Sequence, residues 1–374
     1  MKIANRFMSK VLRASLTGSS ALVFAATAMV GVAITAPSST ALAQSTGVDE
    51  IVVTARRRSE SIQDVPVAVS ALSAGQLERG AIQTVVDLEK LSPNVKLHSI
   101  AQAGAALGAS IRGMGFDDLE KTYEPTVGMS VDGVFMASNA GAVLDFFDIE
   151  SIEVLRGPQG TLFGRNTIAG VINIRRTQPT GEYGLKVEAT NASYNRQDYK
   201  AIVNMPLGDR GGIKISLRDL TSDSYVRNVT RDERAEFQDS ETAALTIRYD
   251  FTDSLKATAT IESYNHQTQV PDILATGTSD NVFCTLGLGC ATGAASLSRA
   301  NDYKTAYSSE PLYSFIQGKN ATLNVEYTGS NYSIKSITGT MEFEELMDIN
   351  SWGAPTPLFK VIRDQEYEQT SQEF

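Results

Sequence analysis

Apolar residues recur at every second position in five separate runs of the second half of the chain. Leu185, Val187 and Ala189 alternate with Lys186, Glu188 and Thr190. Ile213, Ile215 and Leu217 alternate with Lys214, Ser216 and Arg218. Ala243 to Phe251, Leu255 to Ile261 and Ala321 to Tyr327 repeat the pattern. Each run builds a strand with one oily and one wet face. A soluble antiparallel sandwich also alternates, so the connections decide. Pro206 to Gly212, Thr252 to Ser254 and Thr328 to Asn331 are short, whereas 221–240, 267–319 and 346–365 are long. Short turns at one end and long loops at the other are the pattern of an outer-membrane barrel, with the short ends in the periplasm.

Residues 183–374 therefore read as part of an antiparallel transmembrane β-barrel with about eight strands. A barrel that small is filled by its own side chains and could not hold a folded domain. The last segment, Tyr367 to Phe374, stops without a turn. The expectation is a truncated part of a larger barrel.

Nothing after Gln44 approaches the roughly 20 apolar residues that a spanning helix needs. A closed barrel is the other structure that satisfies its backbone in lipid. Residues 1–43 read as a signal peptide. Lys2, Arg6, Lys10 and Arg13 precede an apolar run from Ala21 to Ile34, and Ala41-Leu42-Ala43 offers a cleavage site. The net charge of −10 argues against a nucleic-acid partner.

Residues 61–178 mix helical and strand signals and read as a small α+β domain. Ser73 with Gln76, and Thr84 with Asp87, are capping pairs that open two short helices, ended by Gly80 and Pro93. Asp132-Gly133 is a hairpin signal between Thr126–Val131 and Val134–Ala137. Ser151–Leu155 and Gly170–Ile174 are further strands. The join to the barrel falls at about Thr177 to Tyr183, around Pro179 and Gly181.

No catalytic constellation stands out. Gly157, Gly160 and Gly164 lack the Lys-Ser or Lys-Thr of a phosphate-binding loop. His98 and His266 are far apart, and no metal-ligand spacing occurs. An enzyme is not expected, and neither a metal nor a cofactor. Cys284 and Cys290, in a long connection of an exported chain, are expected to form a disulfide, with two free thiols or a metal pair as the alternatives.

The run Ile152-Glu153-Val154-Leu155-Arg156-Gly157-Pro158-Gln159-Gly160-Thr161-Leu162-Phe163-Gly164 resembles the signature of the plug domain of TonB-dependent receptors. Arg165 to Ile174 continues it, departing at Ile168-Ala169, where the family commonly has a small residue and then Gly. Ile111-Arg112-Gly113-Met114-Gly115 and Val131-Asp132-Gly133-Val134 resemble two further plug segments, and Asp64 to Ser70 the first. Asp49-Glu50-Ile51-Val52-Val53-Thr54-Ala55 resembles the TonB box, placed in a linker of residues 44–60. Ile51 to Val53 could instead be a first plug strand. The resemblance implies a plug inside a barrel of 22 strands, monomeric when full length and set in outer-membrane lipid. It implies energy delivered by the periplasmic protein TonB. It implies import of a small molecule or metal chelate: a ferric siderophore above all, with a glycan or a vitamin as alternatives. It implies that Arg112 and Arg156 hold plug to barrel through ion pairs, a pair within the plug, as with Glu153, being the alternative. Rival readings are a small barrel that anchors a periplasmic domain, and a non-functional fragment.

Overall fold

The computed structural model describes residues 52–53, 60–100, 106–116, 124–138, 147–234, 237–269, 304–306, 313–350 and 360–374. The signal segment, Asp49, Glu50, Ile51, Thr54, Ala55, Cys284 and Cys290 lie outside the described residues.

Two short strands come first, β1 (Val52–Val53) and β2 (Glu60–Ser61), paired antiparallel. β3 (Ala68–Ser73) runs into helix α1 (Ala74–Arg79). The Ser73 N–H donates to Gln76 Oε1 at 2.9 Å, so the helix ties back to its own cap as the sequence predicts. The second capped segment, Val85–Lys90, is a tighter 3-10 turn. Its N–H groups bond three residues back, from Asp87 to Thr84 and from Leu91 to Leu88. Burial works against the charge of Asp87. Lys90 and the amides of Gln83 and Thr84 outweigh it and hold this carboxyl below the ordinary carboxylate range.

β4 (Val95–Ser99), β5 (Leu107–Ile111) and β6 (Met114–Phe116) form a small antiparallel sheet. β7 (Val127–Val131), β8 (Val134–Met136), β9 (Ile149–Arg156), the short helix α2 (Gly160–Phe163) and β10 (Gly170–Arg176) complete the domain. Its main sheet has the order β3-β9-β10-β7-β8, with β10 parallel to β7 and every other pair antiparallel. The central strands carry Ile152, Val154, Leu155, Val171, Ile172 and Ile174, all buried. The Asp132-Gly133 turn has φ of 51° and 91°, the doubly left-handed turn that a two-residue hairpin needs and glycine adopts without strain.

After a linker the chain enters β11 (Gly184–Ala192), β12 (Arg196–Pro206) and β13 (Gly211–Asp223). The short β14 (Arg227–Asn228) and β15 (Glu233–Arg234) follow, then β16 (Phe237–Asp250) and β17 (Leu255–Gln269). After the short β18 (Thr305–Ala306) come β19 (Tyr313–Thr328), β20 (Ser333–Asn350) and β21 (Lys360–Glu373). The long strands form one eight-stranded antiparallel sheet in chain order, a segment of barrel wall. Among the described residues no helix is long and apolar enough to cross a membrane.

The predicted faces hold. On β13, Lys214, Ser216 and Arg218 are buried toward the plug, and Ile213, Ile215 and Leu217 point outward. Cross-strand register from Ile215 puts Val203, Leu245 and then Ile261 on the same outward face. The strands reach further than the alternation suggests. Residues 221–223, 237–240, 346–350 and 360–365, expected in loops, belong to β13, β16, β20 and β21. In and beside these stretches the outward face also turns polar, with Asp219, Asp239, Glu241, Glu344 and Asp364, so the two-residue pattern disappears while the backbone ladder continues. The loop-side connection of β11 to β12, residues 193–195, is a tight turn instead of a long loop. Tyr194 and Asn195 have φ of 62° and 51° there.

A charge on the lipid face should cost about 2–4 kcal/mol near mid-membrane. Ile215→Arg is therefore expected to lower the urea midpoint of the receptor in phosphatidylcholine vesicles, and Ile215→Leu to leave it near wild type.

Candidate functional site: the seam between plug and wall

Where the plug covers the wet face of the wall, charged side chains lose water and need partners. Arg176, the last residue of β10, meets this demand from both sides. Its Nη2 donates to Glu262 Oε2 on β17 at 2.8 Å, and its Nε stands 3.5 Å from Asp132 Oδ2 in the β7–β8 turn. Its backbone N–H donates to Asp132 Oδ1 at 2.9 Å. The side chains of Arg176 and Glu262 are only 16% and 14% exposed. Burial disfavours the guanidinium charge, but Glu262, Asp132 and Asp148 outweigh it and hold its pKa above the usual value. Asn320 on β19 donates to the same Glu262 oxygen at 2.9 Å, and Asn324 to the Asp132 carbonyl at 3.3 Å.

A second tie lies beside it. Lys214 Nζ on β13 pairs with Asp148 at 2.5 Å, with side chains 2% and 4% exposed. Lys214 also donates to the Thr177 carbonyl and hydroxyl, Thr177 donates to Asp148, and Ser216 donates to Asp148 at 2.6 Å. The plug's exit is thus pinned where it becomes the wall.

The β7–β8 hairpin is seated as well. Val134 fills the space above Gly339 on β20, where any side chain would collide with it. Gln369 on β21 donates to the Phe135 carbonyl at 2.7 Å and accepts the Ala137 N–H at 3.1 Å. Tyr264, Ile316, Met341 and Phe343 of the wall continue the plug's apolar core, and Phe343 stacks on Tyr367 at 4.9 Å.

On the plug's other flank the ties are exposed. Lys186 pairs with Glu78 at 3.0 Å, with side chains 63% and 69% exposed, and Arg196 donates to Gln83 at 3.0 Å.

The residues singled out in the sequence fall into separate groups. Arg112 and Gly113 form the β5–β6 turn behind buried Ile111, with φ of 55° and 79°. Glu153 is buried on β9 and accepts from Asn173 at 3.2 Å. The segment from Gly157 through Pro158 and Gly160 to Gly164 folds back on its own strand. The Gly157 N–H donates to the Ala169 carbonyl at 2.9 Å, and the Gln159 N–H to that of Thr167 at 3.0 Å. Phe163, in the middle of it, packs with Val65, Leu155 and Val171. Arg156 donates to Ser70 at 2.8 Å, and burial together with the nearby Arg112 guanidinium pushes its pKa down. Among the described residues no carboxylate pairs with Arg112 or Arg156. Among the described residues the buried ion pairs that join plug to wall use Arg176 and Lys214. Neither was legible, because their partners are distant in sequence and look like ordinary members of an alternating run. Asp132 and Gly133 are the predicted residues that lie in the seam. Val52 and Val53 of the box segment form β1.

A mixed-sheet plug seated on the polar face of an antiparallel barrel wall is the architecture of a plugged outer-membrane barrel. The TonB-dependent Receptor Plug Domain family matches residues 61–171. The pesticin receptor of Yersinia pestis is 31% identical over 166 residues, covering 44% of this chain and 24% of that protein. The iron-regulated outer membrane virulence protein of Vibrio cholerae is 34% identical over 193 residues, covering 48% and 29%. The structure is similar to the ferric yersiniabactin uptake receptor FyuA from Yersinia pestis. The TM-score is 0.66 at 18% identity, over 82% of this chain and 44% of that one. Residues 61–171 are thus similar to the plug domain of TonB-dependent receptors, and the chain spans 24% and 29% of the length of these two relatives.

Removing one partner of a buried ion pair costs about 3 kcal/mol, and removing an exposed one about 0.5. Glu262→Ala should therefore expose the plug to trypsin at clearly lower urea, while Lys186→Ala should behave as wild type in the same titration.

Proposed function

We propose that the whole protein imports a ferric siderophore or another metal chelate across the outer membrane, using energy delivered by TonB. The observation that carries this reading is the plug docked on a barrel wall, preceded by an extended Val52–Val53 segment. A lumen blocked by a folded domain passes a solute only when work moves that domain, and the outer membrane has no energy source of its own. The names of the relatives support iron as cargo: ferric yersiniabactin uptake and iron regulation. A vitamin B12 transporter of Vibrio vulnificus, 26% identical over 172 residues, keeps a vitamin as the second reading.

In this reading residues 1–43 are the export signal and 44–60 carry the box and its linker. Residues 61–178 are the plug, and 183–374 belong to the wall. Asp49 to Ala55 offers TonB a β-prone stretch. β1 pairs on one side with β2, which leaves an edge to which a partner strand can add through backbone hydrogen bonds. Arg112 and Arg156 bring two guanidinium groups together, and Arg156 Nε is buried without a partner. Such a pair calls for carboxylates, which further wall strands would supply across the lumen.

Growth on radioactive ferric chelates under iron restriction tests the reading. Val53→Pro removes a ladder donor and should leave cell-surface binding intact while abolishing energy-dependent uptake. Val53→Thr keeps the donor and should import nearly as wild type. Equal uptake by the proline variant would remove the box from the mechanism.

Cys284 and Cys290 are proposed to form a disulfide that clips the connection between β17 and β19. Thiol labelling of the denatured, unreduced protein should find no free cysteine.

A further inference from the structure

A tilted strand crosses the hydrocarbon of a membrane in about 9–11 residues. Counted from the short-turn ends, the first charged residues on the outward face are Asp219 on β13, Glu241 on β16, Lys319 on β19 and Glu342 on β20. They mark the outer edge of the lipid band. Inside that edge β19 turns Val325, Leu323 and Ala321 outward, but their direct neighbours on β20 are Ser336, Thr338 and Thr340. On β21, Gln372 and Thr370 stand opposite Thr338 and Thr340. Gln372 accepts from the Thr338 hydroxyl at 2.6 Å and donates to Ser336 at 3.0 Å. A track of hydroxyl and amide groups thus runs through the lipid band at these two strands. Above the track the same face is acidic. Glu342 stands opposite Glu368, and Glu344 opposite Glu366, and like charges directly opposite destabilise a sheet. Lys319 opposite Glu342, and Gln317 donating to Glu344 at 2.9 Å, offset only part of this.

We propose that the outward face of β20 and β21 is a contact surface for a second protein of the outer membrane, different in sequence from this one. Acyl chains offer the track no hydrogen-bonding group. A second copy of this chain, related by a twofold axis along the membrane normal, would keep each residue at its own height and set glutamates against glutamates. The partner therefore carries lysine or arginine at the level of Glu342 and Glu368, and small or hydroxyl side chains at the level of Thr338. The surface is defined by the register of the wall and holds whatever solute is carried.

A photoreactive benzophenone side chain in place of Thr340, irradiated in the full-length receptor in its native bacterium, tests this. It should give a protein adduct, and mass spectrometry should place the crosslink in a membrane segment of another protein flanked by Lys or Arg. The same label in place of Ile247, which faces lipid on β16, should give none. Glu342→Lys combined with Glu368→Lys sets like charges across the interface and should lower the Thr340 yield about tenfold or more. Glu342→Gln with Glu368→Gln keeps the shapes, removes the attraction and should lower it about threefold. That variant serves as the reading if the lysine variant fails to assemble. No protein adduct at Thr340, with or without labelled lipopolysaccharide, would overturn the proposal. So would equal adducts at Thr340 and Ile247, an adduct of two copies of this chain, or a yield indifferent to the charge changes.

Discussion

One guanidinium buried between two carboxylates fixes where the plug can sit. Arg176 ends the last plug strand, Asp132 belongs to the hairpin turn beside it, and Glu262 belongs to the wall. None of the three can be withdrawn from water alone without a cost of several kcal/mol. Together they lower one another's cost, and only in one relative placement of plug and wall. The Lys214–Asp148 pair repeats the device at the linker. The apolar contacts of Tyr264, Ile316, Met341 and Phe343 add area to the interface, but area alone is indifferent to sliding. Charges and hydrogen bonds give the seam its register.

The wall's two faces follow from the same constraint. A lumen face that bears Lys214, Arg218, Glu262 and Asp198 is stable because each charge has a partner. Arg218 and Asp198 bond bidentately at 3.0 Å on neighbouring strands. The outward face needs no such pairing over its apolar band. Beyond the band it becomes acidic and relies on water or headgroups.

The sequence makes the lower parts of the strands legible, because Ile213, Ile215 and Leu217 must alternate with their neighbours to separate lipid from lumen. It loses the upper parts, where Glu241 beside Thr242 and Asn265 beside His266 are wet on both faces. The capped segments at Ser73 and Thr84 and the Asp132-Gly133 turn are legible because their chemistry is local. The seam is not. Arg176 and Glu262 are joined only by the fold, and nothing near Gln369 marks it as different from the other polar residues of β21. The family signature around Arg156 and Gly157 directs attention to a loop that chiefly braces itself. Among the described residues, those that bind plug to wall lie elsewhere.

Side chains of β21 alternate between lumen and exterior, so the place of Gln369 depends on the count of residues along that strand. A slip of a single position would turn Gln369 outward and offer Glu368 or Thr370 to the plug in its place. A carboxylate cannot donate to the Phe135 carbonyl, and a threonine hydroxyl is too short to serve both groups. Docking of the β7–β8 hairpin therefore depends on the register of the wall at this strand. A wall out of step at this strand would leave the hairpin without the donor that its Phe135 carbonyl meets.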